Sequence, residues 1–171
     1  PKAPGVVEAV TLALTSPPGW EVEGTAGDEG AARDCRERLA RMLDVPDPDR
    51  VILTTGASHA LNLAIHGTRR LRRAGVIASC ADHVAVLLPL YRLQEARRIH
   101  LYIIGLDPSG QIDTAAFGTA LDRAIRLVVL PHASHVTGRI FDIEPLFALA
   151  KSVGADTLLN AAQTFGEVSV I

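Results

Sequence analysis

The sequence predicts an α/β fold of three layers, a mostly parallel sheet with helices on both faces. Three observations predict it. Short apolar runs rich in Val, Ile and Leu alternate with helix-length segments along most of the 171 residues. Strands and helices that alternate in this way give parallel sheets, which need cover on both faces. Each of four candidate elements also meets a cluster of small or polar residues, where α/β sheets gather ligands.

The elements follow in order. A helix is predicted from about Val6 to Leu14, followed by a loop through SPPGW and EVEGTAGDEG with little apolar periodicity. A loop of that length inside a compact domain is a place where function concentrates. From Glu29 to Leu43 an amphipathic helix is expected, with Leu39, Met42 and Leu43 as its buried stripe. PDPD ends it, and Val51-Ile52-Leu53 reads as a strand running into Thr54-Thr55-Gly56. A helix follows with Leu61, Ala64, Ile65 and Thr68 on one face. TRRLRRAG reads as its last turn, with arginines at the negative end of the dipole and Gly75 as the stop.

Val76–Ser79 is the next strand, running into Ala81-Asp82-His83 and a leucine-rich helix in which Pro89 is tolerable only near the first turn. Ile99–Ile104 is a strand, and Asp107-Pro108-Ser109-Gly110 a turn. Asp113 is placed as the N-cap of a helix carrying Ala116, Phe117, Ala120 and Leu121. Leu127–Leu130 is a buried strand, followed by the polar loop HASHVTGR. A helix from about Pro145 to Val153 closes at Gly154. Thr157–Leu159 forms a strand leading into Asn160-Ala161-Ala162-Gln163, and Val168–Ile171 is expected within or just after another.

Composition narrows the function classes. The chain is 48% hydrophobic with a net charge of −2, and no basic patch suited to nucleic acid is visible. No apolar run is long enough to span a bilayer, and the first residues lack a signal-peptide pattern. Cys35 and Cys80 lie far apart without CxxC spacing, which suits a reduced, cytoplasmic protein better than a disulfide scaffold or a zinc site.

The predicted strand–glycine–helix turn at Gly56, Ala57 and Ser58 is the richest local feature. A helix start leaves backbone N–H groups unpaired, and its dipole favours negative charge, so a phosphate suits both. Ser58 adds a hydroxyl that can donate to the same anion. Polar and small residues recur at Gly56–Ser58, Asp82–His83, His132–Gly138 and Asn160–Gln163. His132, His135 and His83 could also be read as metal ligands, but two histidines three apart on a loop carry little of a metal signature.

With those four segments in hand, the chain resembles the class V aminotransferase and cysteine desulfurase family, pyridoxal phosphate (PLP) enzymes of fold type I. TTGASHALNLAI resembles the family's strand–turn–helix that holds the cofactor phosphate. ADHVAVLLP is similar to the segment whose histidine lies over the pyridine ring, and HASHVTG to the His-x-Ser-Asn-x-x-Gly loop. LLNAAQ is similar to a segment that usually reads Asp-x-x-Gln or Asp-x-x-His. Order and spacing agree in all four, over about Pro4 to Ile171. The resemblance implies that residues 1–171 form a single, truncated PLP-binding large domain. Residues 1–50 would carry N-terminal helices and a loop, and 51–171 the alternating strands and helices.

Carried over by position, the resemblance implies that Gly56, Ala57 and Ser58 cradle the phosphate. It implies that His83 stacks on the ring and that Gln163 donates to the cofactor's phenolic oxygen. Two positions depart from the pattern. Asn160 stands where the family has an aspartate beneath the pyridine nitrogen, and an amide cannot supply the charge that keeps that nitrogen protonated. His135 stands where the loop has asparagine, altering contacts near the cofactor's oxygen or the substrate. The family's Schiff-base lysine is expected downstream of this chain. Lys2 and Lys151 are its only lysines, and neither matches. No catalytic residue is therefore assigned.

Two functions are expected on this footing. One is the cofactor-holding part of a PLP-dependent enzyme acting on an amino acid, completed by other residues. The other is a non-catalytic, degenerate homologue serving as a binding or scaffold subunit. Either would form a homo- or hetero-oligomer, because an open sheet edge invites pairing.

Overall fold

The structure, a computed structural model, describes residues 4–15, 27–68 and 71–168. The chain divides into two compact units, Pro1–Leu53 and Thr54–Ile171. The loop expected between the first two helices falls largely outside the described residues, as does most of the strand expected at Val168–Ile171.

The first unit holds helices α1 (Val6–Thr15) and α2 (Gly27–Met42). α2 ends where Asp44 turns to φ 50° and the Val45 amide donates back to the Ala40 carbonyl at 2.9 Å. A 3₁₀ turn at Pro48–Arg50 follows, capped by the Asp47 carboxylate, which accepts the Asp49 amide at 3.0 Å. The expected buried stripe of α2 is corrected. Ala40 is buried, Leu39 half-buried, and Met42 and Leu43 exposed. Met42 and Leu43 stand at and just beyond the helix end, where the backbone leaves its helical path and 3.6-residue periodicity no longer assigns a face.

The expected strand at Val51–Leu53 does not form, and Ile52 and Leu53 are exposed. Three apolar residues supply β-propensity, but a strand also needs a neighbour to accept its hydrogen bonds. Gly56 therefore opens a helix without closing a strand.

The second unit is a four-stranded parallel sheet of order β2-β1-β3-β4. Its strands are β1 (Ala74–Ser79), β2 (Ile99–Ile104), β3 (Ile125–Pro131) and β4 (Asp156–Asn160). Helix α3 (Ala57–Gly67) leads into β1, α4 (Val84–Glu95) joins β1 to β2, α5 (Thr114–Ala120) joins β2 to β3, and α6 (Glu144–Ser152) joins β3 to β4. Strand residues alternate between two cores, as their period of two requires. Val76, Ala78, Leu127 and Val129 pack with Leu61 and Ile65 of α3 and Val86, Leu90 and Leu93 of α4. Ile77, Val128 and Leu130 face the other way, onto Phe117 of α5 and Leu146, Phe147 and Ala150 of α6. The three-layer α/β expectation is met.

Local chemistry accounts for the boundaries. Asp113 caps α5, its Oδ1 accepting the amides of Ala115 and Ala116 at 2.9 Å each. Gly154, at φ 81°, closes α6. Pro89 is accommodated in the second turn of α4, deeper than expected, with its ring buried. Gly75 is not a helix stop. It lies inside β1 beside a register irregularity, and a Cβ there would come within 2.6 Å of Ile125 Cδ1. β3 stands against a residue without a side chain at that point.

Candidate functional site

Strand order decides where a site can form. From β1 the chain crosses to β2 on one side, and β3 then returns on the other. The connections leaving β1 and β3 therefore diverge, opening a crevice at the carboxyl ends of these two strands. Asp82 and His83 follow β1 there, His132–Gly138 follow β3, and Asn160 ends β4 beside them.

Asp82 is the centre of this cluster. It is 4% exposed. Its Oδ1 accepts the Asn160 side-chain amide at 2.7 Å and the His83 backbone amide at 2.8 Å. Its Oδ2 is buried with no hydrogen-bond partner. Burial pushes the Asp82 carboxyl above the usual aspartate value. The two hydrogen bonds, and the nearby His83 and His135 rings, pull it back in part.

His83 caps α4 with its ring, Nδ1 accepting the Ala85 amide at 3.0 Å. That bond leaves Nε2 as the nitrogen carrying the proton of the neutral ring. The His135 ring stands 4.7 Å away, centroid to centroid, at 75° to it. Asn160 is held at both ends, its Oδ1 accepting the Ala162 amide at 3.2 Å. Below this layer the buried His132 pairs through Nδ1 with Thr164 Oγ1 at 2.8 Å, joining the β3 loop to the turn after β4. Ser134 Oγ accepts the amides of Val136 and Thr137 and holds the loop that presents His135.

Gly56, Ala57 and Ser58 reach the same edge of the sheet by a different route. The last turn of α3 (Leu63, Ala64, Gly67, Thr68) flanks a groove with Leu127 and Asp156–Leu158, at the amino ends of β3 and β4. Eleven residues make α3 about 16 Å long, close to the span of a five-residue strand. Its first turn is therefore at the carboxyl edge. The first bond within the helix runs from the Ala60 amide to the Gly56 carbonyl, and no side chain caps the amides before it. Gln163 is exposed in the turn after β4. Among the described residues the structure thus joins His83, His135 and Asn160 around Asp82, while no hydrogen bond or ring contact ties Gly56–Ser58 or Gln163 to that cluster.

The sequence profile of the aminotransferase class-V family matches residues 26–170. The chain belongs to that family. Its members depend on PLP. The chain is 29% identical over 138 residues to a probable cysteine desulfurase of Methanothermobacter thermautotrophicus, covering 81% of this chain and 34% of that one. With a probable cysteine desulfurase of Pseudomonas aeruginosa it shares 33% over 130 residues, 75% of this chain and 32% of the relative. Among solved structures, the cysteine desulfurase CsdA of Escherichia coli superposes with a TM-score of 0.78 at 24% identity, over 92% of this chain and 41% of that one. A NifS-like protein superposes at 0.80 with 20% identity, over 97% and 47%. These two likenesses show the fold. The chain spans about a third of the length of the curated relatives it matches.

Among the described residues no helix is long and apolar enough to cross a membrane. No group of three or more His, Cys, Asp or Glu among them could hold a metal ion. Cys35 and Cys80 are free and exposed. Sequence reasoning placed Asp82 only as the end of a segment and assigned no role to the His132–Thr164 pair. Asp82 and Asn160 are 78 residues apart in the chain, and only the folded sheet makes one a partner of the other.

Proposed function

We propose that this chain holds PLP at the carboxyl edge of its sheet, as the cofactor-binding part of a class-V enzyme acting on an amino acid. The observation that carries the reading is the convergence of His83, His135, Asp82 and Asn160 at the strand-order switch, at the same edge as an uncapped helix start. The donor set suits the cofactor. The free amides of Ala57 and Ser58, with the Ser58 hydroxyl, offer hydrogen bonds and a positive dipole end to the phosphate. The buried, unpartnered Asp82 Oδ2 is an acceptor waiting for an N–H donor.

In this reading His83 lies against the cofactor ring, its orientation fixed by the bond from the Ala85 amide. Bound PLP supplies the electron sink that draws charge away from an amino acid's α-carbon when a bond there breaks. The chain's own residues bind and orient it. Gln163, exposed beside Asn160, is free to swing onto the phenolic oxygen. His135 stands edge-to-face with His83, where the family pattern has asparagine, and limits how a ligand approaches the ring. Lys151 is exposed in the last turn of α6, beside the amino end of β4 and not its carboxyl end, so cofactor would be held here without a covalent bond to it.

A spectroscopic titration with PLP tests the reading. Saturable binding is expected, and His83→Ala should weaken it about 2- to 13-fold, equivalent to the 0.5–1.5 kcal/mol of one aromatic contact. Equal affinity in the variant would remove His83 from the site. The second reading, a non-catalytic binding or scaffold subunit, draws on Asn160, whose amide lacks the charge of an aspartate. It predicts a chain that folds and associates yet shows no saturable PLP spectrum.

A further inference from the structure

We infer that Asp82 and Asn160 act as one unit toward the cofactor's ring nitrogen, Asn160 as the contact and Asp82 as the source of negative charge. The inference rests on the PLP reading above. Its starting point is a buried carboxylate of which the fold uses only one oxygen. Asp82 is 4% exposed, no cation pairs with it among the described residues, and one of its two oxygens has no partner. A buried acid in that condition is costly to the folded chain unless a donor or a cation completes it. Its nearest cation-forming groups are the His83 and His135 rings. His83 donates to it only through its backbone amide, and the two rings act on it through space.

The position is specific. Asn160 Nδ2 donates to Asp82 Oδ1 at 2.7 Å, so the amide oriented by Asp82 is the group at the place where a class-V chain ordinarily carries its acid. Asn160 Oδ1 accepts the Ala162 amide and keeps a second lone pair, which can accept from a protonated ring nitrogen. A pyridine nitrogen beside a lone amide would stay unprotonated at neutral pH. An ionised Asp82 carboxylate, hydrogen-bonded to that amide, would favour the protonated form by about 1–3 pKa units, the effect of an opposite charge within about 4–6 Å. The acid here stands in the turn after β1, and the hydrogen bond carries its influence to the end of β4. No covalent step is involved. The pair holds a proton on the ring nitrogen.

The test uses PLP labelled with ¹⁵N at the ring nitrogen, bound to the whole chain, with the nitrogen shift followed against pH. In the parent chain the nitrogen should be protonated at neutral pH. Asp82→Asn should lower its pKa by about 1–3 units, and Asn160→Asp should keep it protonated. A nitrogen unprotonated in the parent, or a pKa unmoved in Asp82→Asn, overturns the inference while leaving PLP binding intact. A parent chain that shows no bound-cofactor signal overturns the binding reading and this inference with it.

A second measurement needs no variant. By reciprocity, a cation that Asp82 stabilises must lower the pKa of Asp82 by the same amount. The ¹³C shift of the Asp82 carboxyl, titrated with and without PLP, should move to lower pH when PLP binds. Inorganic phosphate should leave it where it was. An Asp82 titration unchanged by bound PLP, or changed equally by phosphate, contradicts the pair's role.

Discussion

Asp82 gives the clearest account of how single residues behave here. Its carboxyl sits above the ordinary aspartate value of 3.8 because burial disfavours the charge, and the bonds from Asn160 and His83 recover only part. The sign follows from linkage. An acid whose folded-state pKa is raised favours the folded chain fully below its unfolded pKa, and that contribution is lost as pH rises through the folded value. Asp82→Asn should therefore unfold at a higher temperature than the parent at pH 7, with the gap closing below about pH 4. Thermal unfolding at the two pH values checks this, and a variant less stable at pH 7 would contradict it. Asp107 has the opposite sign. The Ser109 hydroxyl, at 2.6 Å, lowers its pKa, so its contribution is present at neutral pH and lost on acidification. Thr164→Val should cost about 1 kcal/mol by denaturant unfolding, since it strands the buried Nδ1 of His132. A change of a few tenths would mean that bond is replaced by another.

Elements were legible where chemistry acts locally. The Asp113 cap, the Gly154 stop and the strands around Ile99–Ile104 and Leu127–Leu130 stand where short-range signals placed them. They were less legible where a distant partner decides. Val51–Leu53 has the composition of a strand but, among the described residues, no strand pairs with it. Ala74 and Gly75 have the composition of a helix end, yet hydrogen bonding between Gly75 and Ala124 draws them into β1. Gly75 then becomes a packing requirement. Gly75→Ala would set a methyl 2.6 Å from Ile125 Cδ1 in the core and should destabilise the unit by about 1–3 kcal/mol. Denaturant midpoints measure this, and an unchanged midpoint would show that Ile125 can turn aside at no cost.

Across the whole molecule, the fold class was readable because alternation of apolar runs and helices leaves few other packings. The site was only half readable. Sequence motifs indicated which segments matter, and the sheet order decided which of them meet. It brings His83, His135 and Asn160 around one buried acid and sets Gly56–Ser58 at the same edge. β2 and β4 are the outer strands among the described residues, and each presents unpaired backbone groups along one side. Light scattering should accordingly find an oligomer at working concentrations, and a clean monomer would show that those edges are protected.

The most direct test of the central claim is equilibrium dialysis of the purified chain against PLP, repeated with inorganic phosphate as competitor. Saturable uptake of one equivalent, displaced by phosphate, is the predicted result. No saturable uptake would contradict a cofactor site at the carboxyl edge of this sheet.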